Sequence, residues 1–279
     1  MLKYLSSSLL LLLVTDTPKK TYSWLEKTDN LNTIETRIKV PDGFTRMPLT
    51  NNSFAYWLRH LPLKPANTPV KTWDGELKYD QNMHCAVVDL DFIGGNLQQC
   101  IDAIIRLRAE YLLSANREDE IQFSYSCCTE KIAWKKWKNG WRTKIINTNG
   151  KSSFEWVKTQ KADSSLKNFR SYLHNVMNYA GTLSLSRDMK KTEVSQLLTG
   201  DAFVHGAAPG AGHGVLIVDM AVSASGKKLM LLGQSFNPAE NFNIIKSSGK
   251  YSPWFEMDFG EELKIPQWYF SKGHARKFE

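Results

Sequence analysis

Gly94-Gly95-Asn96-Leu97-Gln98-Gln99-Cys100-Ile101-Asp102-Ala103-Ile104-Ile105 is a glycine-broken loop running into a helix. Asn96 is a good N-cap, and Gln99 three residues later completes a capping box. Cys100 then falls in the first turn, where backbone N–H groups without helical partners and the helix dipole favour a thiolate. Cys100 shares a helical face with Ala103, Ile104, Leu107 and Tyr111. A small buried core residue would account for that face as well.

Much later comes the apolar run Gly212-His213-Gly214-Val215-Leu216-Ile217-Val218-Asp219, and after it Leu229-Met230-Leu231-Leu232-Gly233-Gln234. The two runs read as a hairpin. With Val222-Ser223-Ala224-Ser225 as the loop and Gly226 left-handed after it, Ala221 faces Gly226, and counting along the ladder sets His213 opposite Gln234. Cross-strand neighbours have Cβ atoms roughly 5 Å apart, so the Gln234 amide is expected to hold the imidazole through its ring N–H. Asn237 is the reserve candidate. Asp219 lies on the His213 face in this count but, at roughly 3.3 Å per residue, too far along the strand to orient it.

The chain has 279 residues with 42% hydrophobic and 23% charged, an ordinary globular balance with length for a substantial core. Its net charge of +8 and pI near 9.2 imply affinity for anionic surfaces. The lysines of residues 131–144 and 158–167 are interleaved with tryptophans and acids and accompany no nucleic-acid motif, so they read as a solvated basic face. Four cysteines, at 85, 100, 127 and 128, do not form a disulfide framework in a chain of this size. Cys127 and Cys128 read as incidental small residues at a strand end. No cofactor motif is present and no metal site is expected. His205, His213 and Asp219 form a candidate metal set, but they lack tight ligand spacing.

Residues 1–18 form a signal-like leader, in which Lys3 precedes the apolar run Leu5-Ser6-Ser7-Ser8-Leu9-Leu10-Leu11-Leu12-Leu13-Val14. Beyond it no stretch is long and apolar enough to span a membrane. Residues 19–34 are a polar linker, and 35–279 a single domain. Ser53-Phe54-Ala55-Tyr56-Trp57-Leu58-Arg59 is a short helix stopped by Pro62 and Pro65. Ile121-Gln122-Phe123-Ser124-Tyr125 alternates as a half-buried strand, and a second helix is expected over 164–179. Trp134, Trp137, Trp141 and Trp156 mark an aromatic insert, suited to core packing or to a glycan or peptide groove.

Several stretches form a recognisable set: Trp57-Leu58-Arg59, Leu61-Pro62-Leu63-Lys64-Pro65, Leu97-Gln98-Gln99-Cys100, Arg106-Leu107-Arg108-Ala109-Glu110-Tyr111, Val218-Asp219-Met220-Ala221, Gln234-Ser235-Phe236-Asn237-Pro238 and Ser252-Pro253-Trp254-Phe255. Together they resemble the bacterial family called domain of unknown function 4846, over roughly residues 35–279. Gly200-Asp201-Ala202-Phe203 followed by the His213 strand also resembles, more distantly, papain-like cell-wall peptidases and amidases of the NlpC type. That resemblance implies Cys100 as nucleophile, His213 as base and Gln234 as the polar third residue.

The fold expected is α+β: a papain-like core whose cysteine-bearing helix packs on an antiparallel sheet, with N-terminal and Trp-rich insertions. The function expected is a secreted or periplasmic bacterial cysteine hydrolase, an amidase or peptidase acting on peptidoglycan or a related cell-surface polymer. Cys100 would form an acyl-enzyme, with its own backbone N–H and the Gln99 side chain serving the oxyanion. The alternative is a non-catalytic cell-envelope binding protein on the same scaffold. An activated Cys100 should ionise below the ordinary thiol range of about 8.5.

Overall fold

The computed structural model describes residues 21–207 and 210–278. The leader of residues 1–18 lies outside them. The architecture is mixed α/β on antiparallel strands. In the main sheet the order is His84–Val87, Asn243–Ile245, Lys228–Gln234, His213–Ser223, Ala202–His205, Ala275–Lys277 and Lys190–Lys191. Phe44–Arg46 pairs with the far end of His213–Ser223, and Phe255–Glu256 with the start of Lys228–Gln234.

The two long central strands are buried on both faces, so their sequences are continuous apolar runs with no alternation. On one face Leu216, Val218 and Val204 meet Ile101, Ile104 and Leu107 of the helix Cys100–Ser114. On the other, Val215, Ile217 and Phe203 meet Leu263, Ile265 and Phe270 of the hairpin Glu262–Ile265/Trp268–Ser271. Gly214 makes the helix packing close: a Cβ there would stand 3.0 Å from Ile101 Cγ2 and 3.3 Å from Ile104 Cδ1.

The central hairpin forms in a different register from the one counted. Ser223 N–H donates to Lys227 O, and Gly226 takes φ +84°. The loop is therefore Ala224-Ser225-Gly226, and Ala221 faces Leu229 instead of Gly226. A β-bulge then intervenes, since Leu231 faces Asp219 but Leu232 faces Ile217. The extra residue reverses which side later residues face. It turns Asp219 away from the His213 face, onto the side carrying the helix Phe54–Arg59. There Arg59 Nε donates to Asp219 Oδ1 at 2.7 Å, and Arg46 pairs with its other oxygen.

The aromatic insert divides. Trp134 and Trp137, on the short helix Trp134–Lys138, are buried against Phe169 and Tyr172 of the helix Leu166–Tyr179. Trp141 and Trp156 lie on the hairpin Trp141–Thr148/Lys151–Lys158, with Lys136 Nζ over both rings at 5.9 and 5.1 Å. Cys127 and Cys128 are not incidental thiols but are joined to each other as a disulfide. Arg187 donates to the carbonyls of Tyr125, Ser126 and Cys128 around that turn. No described helix is long and apolar enough to cross a membrane.

Candidate active site

The cysteine helix begins at Cys100 itself, after a 3₁₀ turn over Gly95–Leu97. The capping differs from the expected one. Gln99 is the residue before the helix, and its backbone N–H donates to Asp102 Oδ2 at 3.1 Å, so the Asp102 carboxyl group caps the first turn. Asn96 instead anchors the loop sideways, its Oδ1 accepting from Ala239 N–H at 2.7 Å. The Gln99 amide donates to Asn96 O at 3.0 Å, so its N–H₂ group already serves a backbone carbonyl.

Cys100 is buried on the helix face of the sheet. Desolvation first, and the neighbouring Asp102 carboxyl second, push its thiol up to about 12. The backbone N–H groups of Ile101, Gly214 and Cys100 pull the other way without prevailing. The expectation of an acidic thiol is thus overturned: the favourable N–H groups are present, but removal from water outweighs them. Asp102 is equally enclosed, has no partner for Oδ1 and is pushed up to about 8 by burial.

His213 opens its strand on the opposite face, with Phe236, Trp268 and Phe270 at ring distances of 4.9, 5.5 and 6.0 Å. Burial pushes it down to about 4, against the hydrogen bond to Gln234. Ring Nε2 lies 2.8 Å from Gln234 Oε1. The register that pairs Gly233 with Leu216 puts Gln234 across from Val215. Gln234 therefore reaches His213 diagonally, on the same face, not from directly opposite.

The two faces meet in one cleft of about 500 Å³. Gln99, Cys100 and Asp102 line it from the helix start, Gly212 and His213 from the strand, and Phe236, Asn237 and Trp268 from the segments beyond. Cys100 and His213 share this cleft, but the imidazole's hydrogen bond goes to Gln234 and not to the thiol. At neutral pH the cleft presents a protonated thiol and a neutral imidazole. A larger cavity of about 750 Å³, around Glu193, Lys227, Lys228, Glu256 and Lys272, has neither thiol nor imidazole in its wall.

Asp219 is occupied by Arg59 and Arg46, and His205 stacks on His274 with centroids 4.3 Å apart. Among the described residues no group of three or more His, Cys, Asp or Glu is placed to hold a metal ion.

Four further residues complete the site: Asp102, Lys78, Gln267 and Trp268. Asp102 stands three residues after Gln99, the spacing of a capping carboxylate, and was legible on that ground. The others reach the site only through tertiary packing. Gln234 Nε2 donates to Gln267 Oε1 at 3.1 Å, and Lys78 Nζ donates to the same oxygen at 2.6 Å.

A family model described as Domain of unknown function (4846) matches residues 34–277. No curated protein and no solved structure matches the chain. The likeness to NlpC-type peptidases gains no support from these comparisons.

Proposed function

The chain belongs to the family described as domain of unknown function 4846, and from the cleft we propose that it is a cysteine hydrolase of papain-like arrangement. The observation that carries this is the Gln234 Oε1 contact to His213 Nε2, made in a cleft that also holds a thiol at a helix start. A glutamine carbonyl accepts a hydrogen bond, so Nε2 carries the proton and Nδ1 the lone pair.

In the proposed reaction, Nδ1 takes the thiol proton as sulfur bonds to the amide carbon. The Cys100 backbone N–H serves the resulting oxyanion, since a first-turn amide has no helical acceptor. The C–N bond breaks as the imidazolium returns its proton to the leaving amine. Water, deprotonated by the same nitrogen, then attacks the acyl carbon, the C–S bond breaks and the sulfur takes the proton back from the imidazolium. The apolar leader and the net charge of +8 favour a bacterial cell-envelope location and an anionic wall polymer, peptidoglycan foremost, as substrate.

Incubating the protein with peptidoglycan fragments and following products by mass spectrometry tests the proposal. Products one water heavier in sum than their parent are expected from the wild type and not from Cys100→Ala. Because the thiol is buried, iodoacetamide should label Cys100 slowly near pH 7, with a rate that climbs with pH and shows no acidic plateau. The burial that slows labelling also favours the second reading, a binding protein on this scaffold. Retention of peptidoglycan fragments by wild type and Cys100→Ala alike, without turnover by either, would establish that reading instead.

A further inference from the structure

Lys78 is almost fully buried, 6% exposed, in a protein whose other lysines are mostly at the surface. Its ammonium lies 2.7 Å from Glu240 Oε1 and 2.6 Å from Gln267 Oε1. Asn243 Nδ2 donates to the same Glu240 oxygen at 3.0 Å, completing the ion pair's surroundings. Lys78 Nζ also sits 5.8 Å from the centroid of the Phe236 ring, whose other neighbour is the His213 imidazole. A charged pair this deep is costly to bury.

What it can settle is amide orientation. A primary amide offers an oxygen acceptor on one side and an N–H₂ donor on the other, and either can face a given neighbour. An ammonium has three hydrogens and no lone pair, so Gln267 must turn its oxygen to Lys78. That same oxygen is 3.1 Å from the Gln234 amide, so Gln234 must offer it the N–H₂ group. The Gln234 oxygen is thereby committed to His213, 2.8 Å from Nε2. Each orientation dictates the next, and the series starts from a fixed charge.

Resting on the hydrolase reading for its functional meaning, we propose that Lys78 is a positioning residue: through Gln267 and Gln234 it sets the tautomer of His213, holding the proton on Nε2 and the lone pair on Nδ1. Without the ammonium both glutamines are free to turn over together. Gln234 then offers N–H₂ to Nε2, and the proton moves to Nδ1, where the ring can no longer act as base toward the cleft.

Long-range ¹H–¹⁵N correlation of the histidine rings at neutral pH reads the tautomer without reference to activity. The wild type should show one His213 form, protonated on Nε2. Lys78→Met/Glu240→Gln, which leaves no orphaned charge, should gain a form protonated on Nδ1. Gln267→Leu, which breaks the series and leaves the ion pair intact, should gain the same form and serves if the double variant does not fold. A single Nε2-protonated form in the folded variants overturns the proposal, as does an Nδ1-protonated wild type. Where turnover is detected, the variants should lose kcat at unchanged KM. Absence of turnover from the wild type sinks the hydrolase and leaves the tautomer result intact.

Discussion

His213 and Asp219 lie on one strand, yet the bulge between them puts the imidazole under the C-terminal hairpin and the carboxylate under the helix Phe54–Arg59. The strand therefore serves two separate polar arrangements. The first lines the cleft, and the second clamps the sheet to its covering helix through Arg59, which also donates to Met47 O at 2.7 Å.

That clamp should be worth a large share of the stability. Asp219 is fully buried, so removing a cationic partner strands a carboxylate away from water. Arg59→Ala is expected to cost about 3–5 kcal/mol, the range for breaking one side of a buried pair. Urea titration of wild type and variant measures it. A loss below about 1 kcal/mol would mean that Arg46 alone suffices.

The pH dependence of stability should carry two opposed contributions from the cleft. His213 is held down to about 4 in the folded protein, so below its ordinary value of 6.5 the unfolded chain takes a proton that the folded one refuses. Its contribution is complete above 6.5 and is lost as pH falls toward 4. Asp102 is held up to about 8 from 3.8, so its contribution is complete below 3.8 and lost as pH rises to 8. Relative to wild type, His213→Asn should be less sensitive to acidification from pH 6.5 to 4.5. Asp102→Asn should lose less stability between pH 6.5 and 8. Urea midpoints across that range distinguish the two, and parallel curves for all three proteins would contradict both assignments.

Gly214 should tolerate no side chain. The nearest atoms to a new Cβ are branched ends of Ile101 and Ile104, both rigidly placed in the helix that begins at Cys100. Gly214→Ala is expected to cost about 1–3 kcal/mol by overpacking. It should also lift the helix start and make Cys100 label faster in the folded state. Faster labelling without loss of stability would point to a local opening instead.

The cysteine helix, the helix ending at Arg59 and the two central strands were legible because each is written in local periodicity, capping or apolar runs. The hairpin was legible as a pair but not in register. Gly226 announced a left-handed turn, but the ladder advanced from a different loop residue and then absorbed a bulge at Val218, which no residue type there advertises. Gln234 still met His213 because the diagonal neighbour lies on the same face. The thiol's ionisation was misjudged for a physical reason. Dipole and N–H donors are properties of a local sequence, whereas desolvation depends on what the rest of the chain packs over it. Lys78 and Gln267 carry no local signal at all, since nothing within a dozen residues of either says that they will meet.

The strand Ala275–Lys277 lies between Ala202–His205 and Lys190–Lys191 in the sheet. It follows Gln267 and Trp268 in the sequence, far downstream of the Cys100 helix. The far side of the sheet under the Cys100 helix and the Gln234–Gln267 hydrogen bond both rest on pairings between residues distant in sequence. Contacts of such sequence separation form slowly. A chain truncated before Gln267 would keep Cys100 and His213 but lose the oxygen that orients the Gln234 amide.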